Sequence, residues 1–189
     1  NESSKNDELL STRGELLPGL ITGDSRRGVS NTGLDIEELG IRTLQDILSI
    51  YPGYQQADIL IILRHLRQRR VIDAIASAQA HRDRNPSSAL AYNLLGRAYL
   101  ANEERDRARA AFENALALRP GDPDSASGLA DLELQKGNYD AAQDHYRAVL
   151  KYDPKHMSSW MRLAASYARE GKEQDTIRVL EEASKADPR

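Results

Sequence analysis

Any chemistry in this chain rests on four histidines, His65, His81, His145 and His156, and on its carboxylates, because it has no cysteine. That absence removes thiolate nucleophiles, thiolate metal ligands and disulfides. No two of the histidines stand four apart, the spacing that aims two imidazoles from one helix face at a metal. A zinc site would therefore need the fold to gather histidines and carboxylates from separate places. The acidic pairs Glu37-Glu38, Glu103-Glu104 and Glu181-Glu182 read as first-turn or solvated helix residues, and nothing in their spacing argues for a glycosidase pair. Gly96, Gly128 and Gly137 are not arranged as a phosphate-cradling loop between a strand and a helix. The expectation is a chain that is not an enzyme and carries no catalytic, metal or cofactor residues.

Arginine is the other chemistry-bearing residue. Residues 55–86 hold six Arg against three Asp, whereas residues 121–154 hold three basic and seven acidic residues. Arg64, Arg67, Arg69 and Arg70 could attract a phosphate or an acidic polysaccharide; the plainer reading is favourable charge at a helix C-terminus and a soluble edge. Nucleic acid is not expected, since the net charge is -3 and no aromatics interleave the arginines. The most apolar run, Ile59-Leu60-Ile61-Ile62-Leu63, is too short to span a bilayer.

The elements that position these residues follow from the prolines. Pro18, Pro52, Pro86, Pro120, Pro154 and Pro188 each lie 34 residues after the last, a period that signals a helical repeat array. Other columns of the period agree: Gly28, Ile62, Gly96, Ala130 and Ala164 stand in one, Gly40, Ala74, Ala108, Ala142 and Thr176 in a second, Leu44, Ala78, Phe112, Tyr146 and Leu180 in a third. Small residues beside bulky ones are what close helix packing requires. Within a period, residues 89–101 put Tyr92, Leu95, Gly96 and Tyr99 on one helical stripe, and 106–118 put Ala108, Ala111, Phe112, Ala115 and Leu116 on another. Gly137 and Gly171 fall in the turn between paired helices, the proline ends the second helix, and Asp122 and Ser87 or Ser88 are candidate caps. His81 shares a column with Ile47, Ala115, Val149 and Ala183, so it reads as a partly buried packing residue.

The series Tyr92, Leu95, Gly96, Tyr99, Ala108, Phe112, Ala115, Pro120 resembles the tetratricopeptide (TPR) repeat, with Tyr92 in place of the usual Trp; the unit ending at Pro188 carries Trp160, Leu163, Ala164, Tyr167 and Ala183. The resemblance covers about residues 34–189. It implies an all-α fold, a right-handed α-solenoid of helix-turn-helix repeats with the 34-residue period, divided as 55–88, 89–122, 123–156 and 157–189. Residues 34–54 read as the second helix of a degenerate repeat. Residues 1–33 are poorly patterned: Gly23, Gly28 and Gly33 each cost roughly 1 kcal/mol in a helix, and residues 1–20 are expected to be disordered, swapped or the remnant of an upstream repeat. The chain starts at Asn1 and stops one residue past a repeat proline. An array normally has polar caps, so a segment of a longer protein, or a homodimer through the last helix or the N-terminal segment, is the expectation.

In such arrays the first helix of each pair lines the concave face, where Gln56, Ile59, Leu63, Arg67, Asn93, Arg97, Asp131, Gln135, Met161 and Arg169 are the expected groove residues. The mixture suits a protein or peptide partner held by polar side chains and a few apolar anchors. Two family variants fit poorly. The clamp for chaperone tails would use Asn93, Arg97, Gly128, Ser158 and Arg162, and Gly128 lacks the amide; the asparagine ladder of sugar-transferase arrays would use Leu94, Gly128 and Arg162. The strings Gln56-Ala57-Asp58-Ile59-Leu60-Ile61-Ile62-Leu63, Leu66-Arg67 and Ala91-Tyr92-Asn93-Leu94-Leu95-Gly96, continued by Ala108-Arg109-Ala110-Ala111-Phe112-Glu113, resemble long TPR proteins of bacterial exopolysaccharide and exosortase (PEP-CTERM) loci. That likeness implies a periplasmic scaffold for polysaccharide or surface-protein assembly and export, anchored through a region outside this chain. Direct polysaccharide binding, an accessory region of a glycosyltransferase or sulfotransferase, and a cytosolic adaptor remain open beside it.

Overall fold

A computed structural model describes residues 32–51 and 53–187, with side chains from residue 39 onward. The expectations for residues 1–31 lie outside the described residues. Helix α1 (Thr32–Ile50) comes first, and the compact unit that begins at Ile41 contains α2 (Gln55–Arg67), α3 (Val71–Arg84), α4 (Ala89–Ala101), α5 (Arg105–Leu118), α6 (Pro123–Gln135), α7 (Tyr139–Tyr152), α8 (Met157–Glu170) and α9 (Glu173–Ala186). All secondary structure among the described residues is helical.

The starts of α2, α4, α6 and α8 are 34 residues apart, as are those of α3, α5, α7 and α9. Local chemistry sets this register. The residue before each first helix is Tyr54, Ser88, Asp122 or His156. Ser88 Oγ accepts from the Ala91 amide at 3.3 Å, an Asp122 carboxylate oxygen from Ser125 at 2.9 Å, and His156 Nδ1 from Ser159 at 3.2 Å. Each satisfies a backbone donor that the first turn leaves open. Of Ser87 and Ser88, Ser88 is the cap, and His156 caps with an imidazole, which is outside the usual Ser, Thr, Asp and Asn set.

The turn inside each repeat is left-handed. Arg69, Glu103, Gly137 and Gly171, again 34 apart, have φ of 57°, 61°, 78° and 82°. The next amide in each case, at Arg70, Glu104, Asn138 or Lys172, reaches back five residues to the carbonyl of His65, Tyr99, Glu133 or Tyr167 at 2.9 to 3.0 Å. This bond closes a Schellman-type ending. The second helices stop differently. Asn85, Arg119, Asp153 and Asp187, each preceding a repeat proline, have φ between -131° and -137°, because the ring that follows excludes the helical conformation.

Each first helix packs on its own second helix, α4, α6 and α8 pack also on the second helix of the preceding repeat, and α2, α4 and α6 touch in series. One core joins Ile62, Ala78, Leu94, Leu95, Phe112, Leu129 and Leu132; a second joins Ala130, Tyr146, Leu163, Tyr167 and Val179. Phe112 is wholly buried between two glycines: a Cβ at Gly96 would lie 2.6 Å from its ring, and one at Gly128 would lie 2.5 Å from it. Gly128 is thus a packing residue that admits a phenyl ring, and Leu94, in the same column, is also buried. The column of an asparagine ladder therefore faces the core at these two positions.

Candidate functional site

Side chains of α4, α6 and α8 converge on a groove of about 280 Å³ lined by Leu100, Asp131, Leu134, Gln135 and Arg169. Three of the expected groove residues meet here. Columns of the repeat explain why: positions 34 apart on first helices point the same way, so Leu100 and Leu134 form the floor while Asp131, Gln135 and Arg169 line its polar side.

Asp131 lies 3.6 Å from Arg162, with both side chains about half exposed. Burial pushes the Asp131 carboxyl above its usual range, and the Arg162 and Arg169 guanidiniums partly offset that. Arg162 also donates to the hydroxyl of the buried Tyr146. Gln135 accepts from Arg105 Nε at 3.1 Å. Arg67, Arg97 and Arg169 are exposed and have no carboxylate within ion-pair distance among the described residues. Ile59 and Leu63 are partly buried against the core, and Gln56 and Met161 are exposed on the same set of helices.

Asn93 differs from expectation. It is buried, with Nδ2 donating to Ser125 Oγ at 3.0 Å, and Ser125 in turn donates to Asp122 at 2.6 Å. The amide braces α4 against the capped start of α6 and does not face solvent. Asp122 also pairs with Arg119, so the network continues to the surface.

A buried polar cluster lies away from the groove. Asp58, His81 and Arg84 come from α2 and α3, with His81 Nδ1 3.1 Å from one Asp58 oxygen and Arg84 Nη2 2.5 Å from the other. His81 is 1% exposed, fully buried where partial burial was expected, and its Nε2 has no partner. Asp58 occupies the column of Tyr92, Ala126 and Trp160, so a carboxylate sits where two other repeats place an aromatic ring. That substitution was the available signal for the pair. The cluster has no accompanying metal set: among the described residues no three His, Asp or Glu side chains could hold an ion.

Of the remaining histidines, His65 is buried, His145 is half-buried beside Glu133 and Arg109, and His156 is the helix cap. In the arginine cluster, Arg70 pairs with Asp73 at 2.8 Å and Arg69 occupies the left-handed turn. A second hollow of about 500 Å³ between α7, α8 and α9 is lined by Arg147, Lys151, Arg178, Glu182 and Trp160 over apolar side chains. Arg147 and Arg178 are already paired with Asp144 and Asp175. Among the described residues no helix is long and apolar enough to cross a membrane.

Tetratricopeptide repeat profiles match residues 60–123, 99–167 and 133–189. No curated protein sequence matches. Among solved structures, the fold is similar to that of MamA, with a TM-score of 0.64 at 20% identity over 82% of this chain and 85% of that one. A thermophilic TPR protein of Thermus thermophilus aligns with a TM-score of 0.64 at 16% identity, covering 84% of this chain and 87% of that one. YrrB, described as a TPR protein with an unusual peptide-binding site, aligns with a TM-score of 0.57 at 15% identity over 84% and 81% of the two chains. At these identities the likeness is one of fold.

Proposed function

The chain belongs to the tetratricopeptide repeat family, commonly used as a protein-interaction scaffold, and we propose that it is a non-catalytic scaffold whose partner docks in the groove of α4, α6 and α8. The observation that carries this reading is the convergence of Leu100, Leu134, Asp131, Gln135 and Arg169 on one concavity, with Arg97 and Arg169 exposed on the same helices and neither within ion-pair distance of a carboxylate among the described residues. An apolar floor with a polar edge is the usual make-up of a docking surface. The described peptide-binding role of YrrB, on the same fold, supports it.

On the finer scale, the local likeness to TPR proteins of exopolysaccharide and exosortase loci supports a place in the periplasm, assisting assembly or export of polysaccharide or surface proteins. The test is capture from the native organism's extract with the chain as bait, beside a control carrying Arg97→Glu and Arg169→Glu. Export components retained by the wild type and lost by the control are the expected result. Cytosolic proteins lost in their place would overturn the compartment and leave the groove standing; identical retention by both baits would overturn the groove.

The second reading is direct binding of acidic polysaccharide, favoured by exposed Arg67 and Arg69 beside Arg64 and Arg70. Titration with alginate would show binding that falls with salt on this reading, and no binding would exclude it. Self-association through α9, which exposes Ile177 and Leu180, is tested by sedimentation at several concentrations.

A further inference from the structure

The groove has a repeating chemistry that constrains what fits it; this inference rests on the reading of the groove as the docking face. The column of Leu100 and Leu134 also contains Leu66 on α2 and Ala168 on α8. Leu66, Leu100 and Leu134 are partly buried and Ala168 is exposed, so an apolar stripe crosses the four first helices. Arg67 and Arg169 follow that stripe by one residue and Arg97 precedes it by three, all exposed and without an ion-pair partner among the described residues. The sole carboxylate of the lining, Asp131, is engaged by Arg162.

Two features favour a helical occupant over an extended one. An extended backbone would look to the groove for side-chain acceptors, and few amide carbonyls there are open to it. Asn93 is buried, with its amide nitrogen on Ser125, and Gln135 Oε1 already accepts from Arg105, which leaves the Gln56 carbonyl at the α2 end. A helix satisfies its own backbone and asks only for an apolar stripe and charge at its flanks. The spacing also fits: packed helices lie about 8–10 Å apart, and seven residues of α-helix advance about 10.5 Å. A helix laid along the stripe from α2 to α8 would set every seventh side chain near one of Leu66, Leu100, Leu134 and Ala168.

We infer that the groove takes an amphipathic α-helix of a partner protein, with apolar residues at seven-residue intervals and an acidic flank facing Arg67, Arg97 and Arg169.

The test is selection of a random library of peptides about 21 residues long, enough to cross the stripe, displayed on phage against the full chain. Selected sequences are then synthesised and titrated by fluorescence anisotropy against wild type, R97E/R169E and R97K/R169K. The expected winners repeat Leu, Ile or Met every seventh position with Asp or Glu between, and gain helical circular dichroism on binding. They lose about tenfold or more in affinity to R97E/R169E and keep it with R97K/R169K. Winners that remain extended, with apolar residues every second or third position, and that still lose affinity to R97E/R169E, would overturn the helical occupant and leave the groove as the docking face. No winners, or winners that bind all three proteins equally, would overturn both.

Discussion

At the residue scale, Asp131 and His145 make opposite contributions to the response to pH. Burial raises the Asp131 carboxyl, so in the window just above the ordinary 3.8 the folded chain holds a proton that the unfolded chain has released. Lowering pH through that window favours folding. Asp131→Asn is expected to match or exceed wild-type stability at neutral pH, with the difference shrinking as pH falls through the window; urea titrations across pH would check it. Burial depresses the His145 imidazole below 6.5, against the pull of Glu133, so the unfolded chain protonates first. Stability from this residue is lost as pH falls below about 6.5 and through the depressed value, and His145→Gln should flatten that limb. Residue roles were unevenly legible in the sequence. Asp131, Gln135 and Arg169 line one concavity because helical spacing puts them on one face. Asn93 does not, and spacing alone does not distinguish a groove position from one covered by the next helix. The Asp58–His81 pair joins residues 23 apart on different helices, beyond the reach of local pattern.

At the element scale, the repeat imposes a left-handed residue at four turns, and only Gly137 and Gly171 meet it without a Cβ. Arg69→Gly and Glu103→Gly should each stabilise by about 0.5–1 kcal/mol, the conformational relief less the added chain entropy. Gly137→Ala should cost a similar amount, and thermal unfolding would measure all three. The two glycine turns were evident from sequence. Arg69 and Glu103 were not, because nothing but their column marks them. The glycines around Phe112 obey a different rule: Gly128→Ala adds helix propensity yet drives a methyl into the ring. A net loss of about 1–3 kcal/mol is expected, partly recovered by adding Phe112→Leu. Equal stability of Gly128→Ala and wild type would show that the ring can move aside.

For the whole molecule, stability in a repeat array is a sum of units and their neighbours' interfaces. The heaviest burial lies in α4 to α6, around Leu94, Phe112, Leu129 and Leu132, whereas α9 buries only Val179 and Ala183. Amide exchange should be slowest in α4 to α6 and faster in α9; uniform protection would contradict that gradient. The proline period made the solenoid readable because each proline marks a break in a repeated helix pair. The partner was not readable, since groove side chains are free of the packing constraint that produces the period.

Docking of a partner in the groove of the first helices is open to photo-crosslinking in the native organism. A photoreactive benzoylphenylalanine would replace Arg97 in one variant and Lys151, in the hollow between α7, α8 and α9, in another. A discrete protein adduct is expected from position 97 and none from position 151. An adduct from position 151 alone would contradict it.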